Sequence, residues 1–220
     1  MNKELLNRII SSVILLPTVF IIFYEGSIVL NCFLFISFII SIVEWNNLSR
    51  NLFVKFCGAL FLFISFYSIF LIRNMTDFNL NIDYLILILS ICICTDTGGF
   101  IFGKFFKGPK LTKISPNKTY SGVVGSFMLP LVILSFLIVA LEKEQNIILL
   151  FKTNTNFLIF IISISIVSQF GDLIISLFKR LSQKKDTGRI IPGHGGLLDR
   201  IDGMIFAFPF AYLIYYFFLL

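Results

Sequence analysis

Seven long apolar stretches alternate with short polar ones along the chain: 9–24, 28–43, 56–72, 84–102, 122–141, 157–178 and 204–220. Each approaches the length that carries a helix across ~30 Å of hydrocarbon. Pro17 and Pro130 fall inside two of them, which membrane helices tolerate. Between the runs, Glu25-Gly26-Ser27 reads as a tight turn, and 46–51 and 73–83 read as polar loops. Glu44-Trp45 closes the second run with an indole suited to the membrane interface, and 142–156 reads as a mixed linker. The first run lacks a small-residue cleavage site after it and is expected to be a retained span.

Composition removes the soluble alternatives. The chain is 57% hydrophobic and 14% charged, against about 25% charged in soluble domains. The expected fold is an all-α membrane protein, a polytopic bundle of about seven transmembrane helices. The division predicted is 1–83 for the first three helices and 84–220 for a catalytic region of four, with cytoplasmic loops at 103–120 and 179–203. A cytoplasmic N-terminus puts fifteen of the eighteen lysines and arginines on one side, leaving Arg73, Lys143 and Lys152 on the other. The net charge of +6 then reflects cytoplasmic loops facing anionic headgroups, not a nucleic-acid partner. Cys32, Cys57, Cys92 and Cys94 all lie in apolar runs and are expected to be buried thiols.

Two acids lie in the wrong solvent. Asp96 and Asp172 interrupt the fourth and sixth runs, and a carboxylate at mid-membrane costs at least ~2.5 kcal/mol, so such groups face a partner or a wet cavity. Each precedes the cytoplasmic end of its helix by about seven residues, or roughly 10 Å at ~1.5 Å per residue. Equal depth suggests a shared site. Ser165, Ser168, Asp172, Ser176, Lys179 and Arg180 follow helical spacing and form one polar stripe. Asp96, Gly99 and Gly103 do the same on the fourth run, on a face small enough for close backbone approach. The bland alternative is that both acids only pair with nearby lysines as structural glue.

The most polar stretch runs from Ser176 to Asp202 and holds six of eighteen basic residues, three of twelve acidic ones and the only histidine. Its Lys179, Arg180, Lys184, Lys185, Asp186, Arg189, His194, Asp199, Arg200 and Asp202 match cations with carboxylates. That mixture suits phosphoryl or nucleotidyl transfer, in which carboxylates hold Mg²⁺ and cations neutralise phosphate. Pro192-Gly193-His194-Gly195-Gly196 adds glycines where a backbone bends sharply or approaches a phosphate. Gly98 to Lys104 mimics the start of a P-loop, but Phe105 follows where Ser or Thr is needed, and the pattern sits in a span. A lone histidine excludes a zinc site around it.

These residues resemble the phosphatidate cytidylyltransferase (CDP-diacylglycerol synthase) family. The carrying pattern is S-x-x-K-R-x-x-x-x-K-D-x-G-x-x-I-P-x-H-G-G-x-x-D-R-x-D, matched without a gap from Ser176 to Asp202. Asp96-Thr97-Gly98-Gly99 with Gly103-Lys104, Ser115-Pro116-Asn117-Lys118-Thr119 with Gly122, and Ser168-Gln169-Phe170-Gly171-Asp172 resemble further family segments. Tyr120 and Ser121 depart from the Trp and Glu or Gln that the family usually places there. The resemblance implies transfer of CMP from CTP to phosphatidate, giving CDP-diacylglycerol and pyrophosphate, with Mg²⁺ and a second metal ion as compatible cofactors. It implies Asp172 and Asp199 as metal ligands with Asp202 as a further one. It gives catalytic roles to Lys179, Arg180, Lys184, Lys185, Asp186, His194 and Arg200, and substrate-binding roles to Asp96, Lys104, Ser115, Lys118, Thr119 and Ser176. The acyl chains are expected to arrive from the inner leaflet between the fourth and sixth helices. The resemblance further implies a bacterial inner membrane, an active site on its cytoplasmic face, and compatibility with a homodimer. Two other readings stay open: a related CTP-dependent transferase on another lipid phosphate, and a membrane transporter.

Overall fold

A computed structural model describes residues 17–25, 27–74, 78–111, 115, 118–140, 154–191 and 195–219. These residues are helical apart from short connections and two isolated β-bridges, Lys110 with Thr119 and Ile191 with Gly195. The helices are α1 (17–25), α2 (Ser27–Leu48), α3 (Leu52–Arg73), α4 (Phe78–Phe106), α5 (Tyr120–Ala140), α6 (Asn154–Leu181), α7 (Leu198–Ile201) and α8 (Met204–Ile214). A π-helical turn, Tyr215–Leu219, continues α8.

Among the described residues four helices are long and apolar enough to cross a membrane, over Ile28–Leu48, Leu52–Arg73, Asp83–Phe106 and Thr155–Leu181. Tyr120–Phe136 and Met204–Phe217 are shorter apolar helices. The observed helices outrun the apolar patterns that predicted them. The polar loop expected at 46–51 shrinks to 49–51, because α2 runs on to Leu48, and the loop expected at 73–83 gives way to α4 from Phe78. Backbone hydrogen bonding extends a helix into its polar flanks wherever no breaker stops it. α6 stops where Gln183 takes a left-handed φ of 55°, and Lys184 N–H then donates to Lys179 C=O at 2.9 Å, closing the last turn.

The bundle is greasy outside and carries its buried polar groups within an apolar core. Ile28, Val29, Phe35, Ile36 and Val43 of α2 are exposed, whereas Ser37, Ser41 and Glu44 of the same helix are buried. In water that arrangement would be a large sticky patch. In lipid, which is as apolar as leucine, helices instead associate through small residues and hydrogen bonds. Ser65 of α3 donates to Ile205 C=O at 2.6 Å, Tyr84 of α4 to Ala211 C=O at 2.9 Å, and Thr95 of α4 to Ser165 of α6 at 3.0 Å.

The closest helix pair is α4 with α5. A Cβ on Gly122 would lie 2.8 Å from Gly99 C=O, and one on Gly125 would lie 2.7 Å from Gly98 C=O. The small-residue face expected on the fourth run is therefore real, and its partner is α5. The expected burial of the cysteines needs correction. Cys92 is buried and Cys94 partly so, but Cys32 and Cys57 are exposed on the apolar exterior. An apolar run in a membrane does not tell a core face from a lipid face, since both favour the same residues.

Candidate active site

Asp172 is carried by α6 into contact with the start of α8. The approach is close: a Cβ on Gly171 would lie 2.8 Å from Asp202 C=O, and one on Gly203 would strike Ser168. Because both positions are glycine, the Asp172 and Asp202 carboxyl groups come close enough to interact electrostatically. Asp202 is 7% exposed and also accepts the Gly203 N–H at 2.9 Å. Burial, with the neighbouring charges of Asp172 and Asp96, pushes its carboxyl well above the usual carboxylate range.

Lys118 completes this centre. Its Nζ lies 2.6 Å from Asp172 Oδ2, and Ser176 Oγ donates to Asp172 Oδ1 at 3.2 Å. Thr119 Oγ1 accepts the Gly122 N–H at 3.1 Å, capping α5 and fixing the lysine just before it. Asp96 stands within electrostatic reach of Asp172, Lys118 and Arg200. Asp96, Lys118, Asp172, Ser176 and Asp202 thus share one site, as the equal depth of the two intramembrane acids suggested.

A second cluster forms along the Ser176–Asp202 stretch. Lys179 Nζ lies 2.8 Å from Asp199 Oδ1, with the two side chains 12% and 6% exposed. Asp199 Oδ2 accepts from Thr187 N–H at 2.8 Å, Gly196 N–H at 2.9 Å and Thr187 Oγ1 at 3.0 Å. Both Asp199 oxygens are therefore engaged within the protein. Lys179→Met would leave the buried Asp199 charge unpaired, a loss of about 3–5 kcal/mol. The double variant with Asp199→Asn should recover part of it, read as thermal unfolding in detergent.

The remaining predicted residues lie around these clusters. Lys184 Nζ donates to Asn47 C=O at 2.6 Å, tying the loop to the end of α2. Arg180, Lys185 and Asp186 are exposed. Lys104 lies 5.7 Å from the centre of the Phe100 ring, a cation–π contact on its own helix. Ser115 C=O accepts the Lys118 N–H at 3.1 Å. Ser121, the departure from the family pattern, donates to Lys107 C=O and contacts Thr119 Oγ1 at 3.0 Å, so it closes the turn before α5. His194 lies outside the described residues.

Arg200 lines an apolar cavity of about 250 Å³ together with Phe33, Leu34, Phe66, Ile93 and Met204. Its walls come from α1 to α4, α8 and the loop before it, not from the α4–α6 seam, which the Thr95–Ser165 hydrogen bond bridges.

Among the described residues no group of three or more His, Cys, Asp or Glu is arranged to hold a metal ion. Asp172 nevertheless holds an ammonium, that of Lys118, with Asp202 beside it. Magnesium is commonly held by one or two carboxylates plus substrate phosphates, so this donor set suits it. One further participant carries a sequence signal of its own. Glu44, which closes the second apolar run beside Trp45, is 2% exposed and bonded to the loop. An acid near the end of an apolar run obeys the same cost rule that singled out Asp96 and Asp172. Thr187, its partner, had no sequence signal.

A family model described as the cytidylyltransferase family matches residues 50–218. The chain is 32% identical to phosphatidate cytidylyltransferase of Staphylococcus haemolyticus (strain JCSC1435), over 94% of this chain and 82% of that protein. It is 33% identical to the protein of the same name from Staphylococcus saprophyticus, over 76% of this chain and 63% of that one. It is 35% identical to that of Bacillus subtilis (strain 168), over 71% and 55%. The chain therefore spans less than two thirds of the length of the last two.

Proposed function

This chain belongs to the cytidylyltransferase family, and we propose that it transfers CMP from CTP to phosphatidate, giving CDP-diacylglycerol and pyrophosphate. The observation that carries the reading is the approach of both Lys118 and Asp202 to Asp172, between α5, α6 and α8. A phosphate oxygen of phosphatidate attacks the α-phosphorus of CTP, the bond from that phosphorus to the bridging oxygen breaks, and pyrophosphate leaves. A phosphate monoester has its second pKa near ~6, so it is largely dianionic at neutral pH and needs no strong base.

The difficulty is bringing two polyanions together. Asp172 and Asp202 would hold Mg²⁺, whose charge would neutralise CTP phosphate oxygens. Lys118, beside Asp172, would share the negative charge of a substrate phosphate. Arg200, which lines the apolar cavity, would hold the phosphatidate phosphate while the acyl chains lie among Phe33, Phe66 and Met204. This moves the lipid away from the α4–α6 seam, where the sequence put it.

The topology in this reading has seven spans, with the N-terminus and both basic loops facing the cytoplasm of a bacterial cell. Support comes from the placement of fifteen of eighteen basic residues on that side. The opposite orientation would put the CTP site outside the cell.

A label experiment tests the reaction. With purified protein and phosphatidate, label from α-phosphate-labelled CTP should enter the lipid phase, and label from γ-phosphate-labelled CTP should stay in water as pyrophosphate. Label entering only another lipid phosphate would move the assignment to that substrate, and entry into none would remove it. The raised Asp202 carboxyl adds a second prediction: its proton must leave when a metal binds, so Mg²⁺ affinity should rise with pH. Calorimetric titration with Mg²⁺ in two buffers of different ionisation enthalpy should register proton release.

A further inference from the structure

Glu44 is a buried acid that the transfer reaction leaves unexplained. It sits one turn before the end of α2, 2% exposed, and among the described residues it takes part in no ion pair. Its partners are donors from the loop before α8. Oε1 accepts the Leu197 N–H at 2.9 Å, and Oε2 accepts the Leu198 N–H and the Thr187 hydroxyl, each at 2.8 Å. These residues lie more than 140 positions away in sequence.

The loop is shaped for this carboxylate. A Cβ on Gly188 would lie 2.5 Å from Glu44 Oε1, and one on Gly196 would strike Oε2 and the Thr187 hydroxyl. Here the absence of a side chain on Gly188 and Gly196 admits an internal carboxylate. The Thr187 hydroxyl also lies 3.0 Å from Asp199 Oδ2. A hydroxyl has one proton to donate, so it serves Glu44 or Asp199 at any instant and links their positions. Together the two carboxylates hold the amides of residues 187, 196, 197 and 198. Charge-assisted bonds of this kind are roughly twice as strong as neutral ones.

We propose that Glu44 is a positioning residue of the transfer reaction, gripping the loop at Thr187, Leu197 and Leu198 so that Asp199, Arg200 and Asp202 stand where the chemistry needs them. It touches no reacting atom. Only the single turn of α7 separates Leu198 from Asp202, so a shift of the loop moves Asp202 against Asp172. A displacement of about 1 Å costs on the order of 100-fold in rate. Glu44 also lies outside the residues, 50–218, that the family model matches, so the N-terminal helices supply part of the catalytic apparatus in addition to scaffold. This inference rests on the cytidylyl-transfer reading.

The test is Glu44→Gln, which keeps the size but puts an amide donor where a carboxylate oxygen accepts. The expected result, at unchanged thermal unfolding, is a kcat lowered roughly 10- to 100-fold with the KM for CTP changed less than about threefold. Amide exchange across 187–198 should accelerate at least about tenfold, while exchange in α6 stays as in the wild type. Wild-type kcat, or unchanged exchange across 187–198, would overturn the proposal. If Glu44→Gln does not fold, Thr187→Val decides. It removes the shared hydroxyl alone; a lowered kcat with faster loop exchange supports the proposal, and wild-type values of both overturn it. Should the wild type itself fail to transfer CMP, the reaction assignment falls, while the exchange measurement still judges the grip of Glu44 on the loop.

Discussion

Asp172→Asn is expected to lower CMP transfer roughly a thousandfold, the rate equivalent of about 4 kcal/mol. The side chain keeps its shape and can still meet Ser176, so the bundle should fold. What disappears is the charge that holds Lys118 at 2.6 Å and, in the proposed mechanism, the divalent cation beside Asp202. Steady-state rates at saturating CTP, with thermal unfolding recorded on the same preparation, check this. A rate within tenfold of wild type would remove Asp172 from the reaction centre.

Gly125→Val is expected to have the largest effect on the fold. The new Cβ would overlap Phe102 and lie 2.7 Å from Gly98 C=O. Overpacking commonly costs about 1–3 kcal/mol, and here the obstacle includes main chain that cannot rotate away. α4 and α5 would have to separate, carrying Asp96 away from Lys118. The variant should unfold in detergent well below wild type and lose activity in proportion. Adding Phe102→Ala should not rescue it, because the clash with the Gly98 carbonyl remains. A rescue would mean that only the side-chain contact matters.

These two predictions draw on what the sequence makes legible. Asp172 stands out because a carboxylate inside an apolar run is costly enough to demand a reason, and Asp96 is found by the same rule at the same depth. Lys118 follows from the resemblance, and its ion pair with Asp172 joins two segments the sequence could only name separately. The small face of α4 is readable from glycine spacing, but its partner is not, because nothing in the spacing says which helix will be short of side chains opposite it. Gly122 and Gly125 answer that only once α5 is in place.

Other features stayed hidden for physical reasons. Asp199 lies in the strongest part of the family pattern, yet both its oxygens are taken by Lys179, Thr187 and Gly196. Glu44 was disguised by Trp45, whose indole suits an interface but in fact lies buried, 4.9 Å between ring centres from Phe178. The position of the apolar cavity is unreadable because lipid-facing, core and cavity-lining positions all draw on the same apolar residues. Cys32 and Cys57 show the same ambiguity from outside.

The account stands on the claim that the Asp172–Asp202 pair is where CMP changes partners. Pyrophosphate release in mixed micelles of purified protein, CTP and Mg²⁺, with and without phosphatidate, tests it most directly when wild type is run beside Asp202→Asn. The account predicts release that requires both the lipid and the metal in the wild type and is lost in the variant. No release from the wild type, or release undiminished in Asp202→Asn, would contradict it.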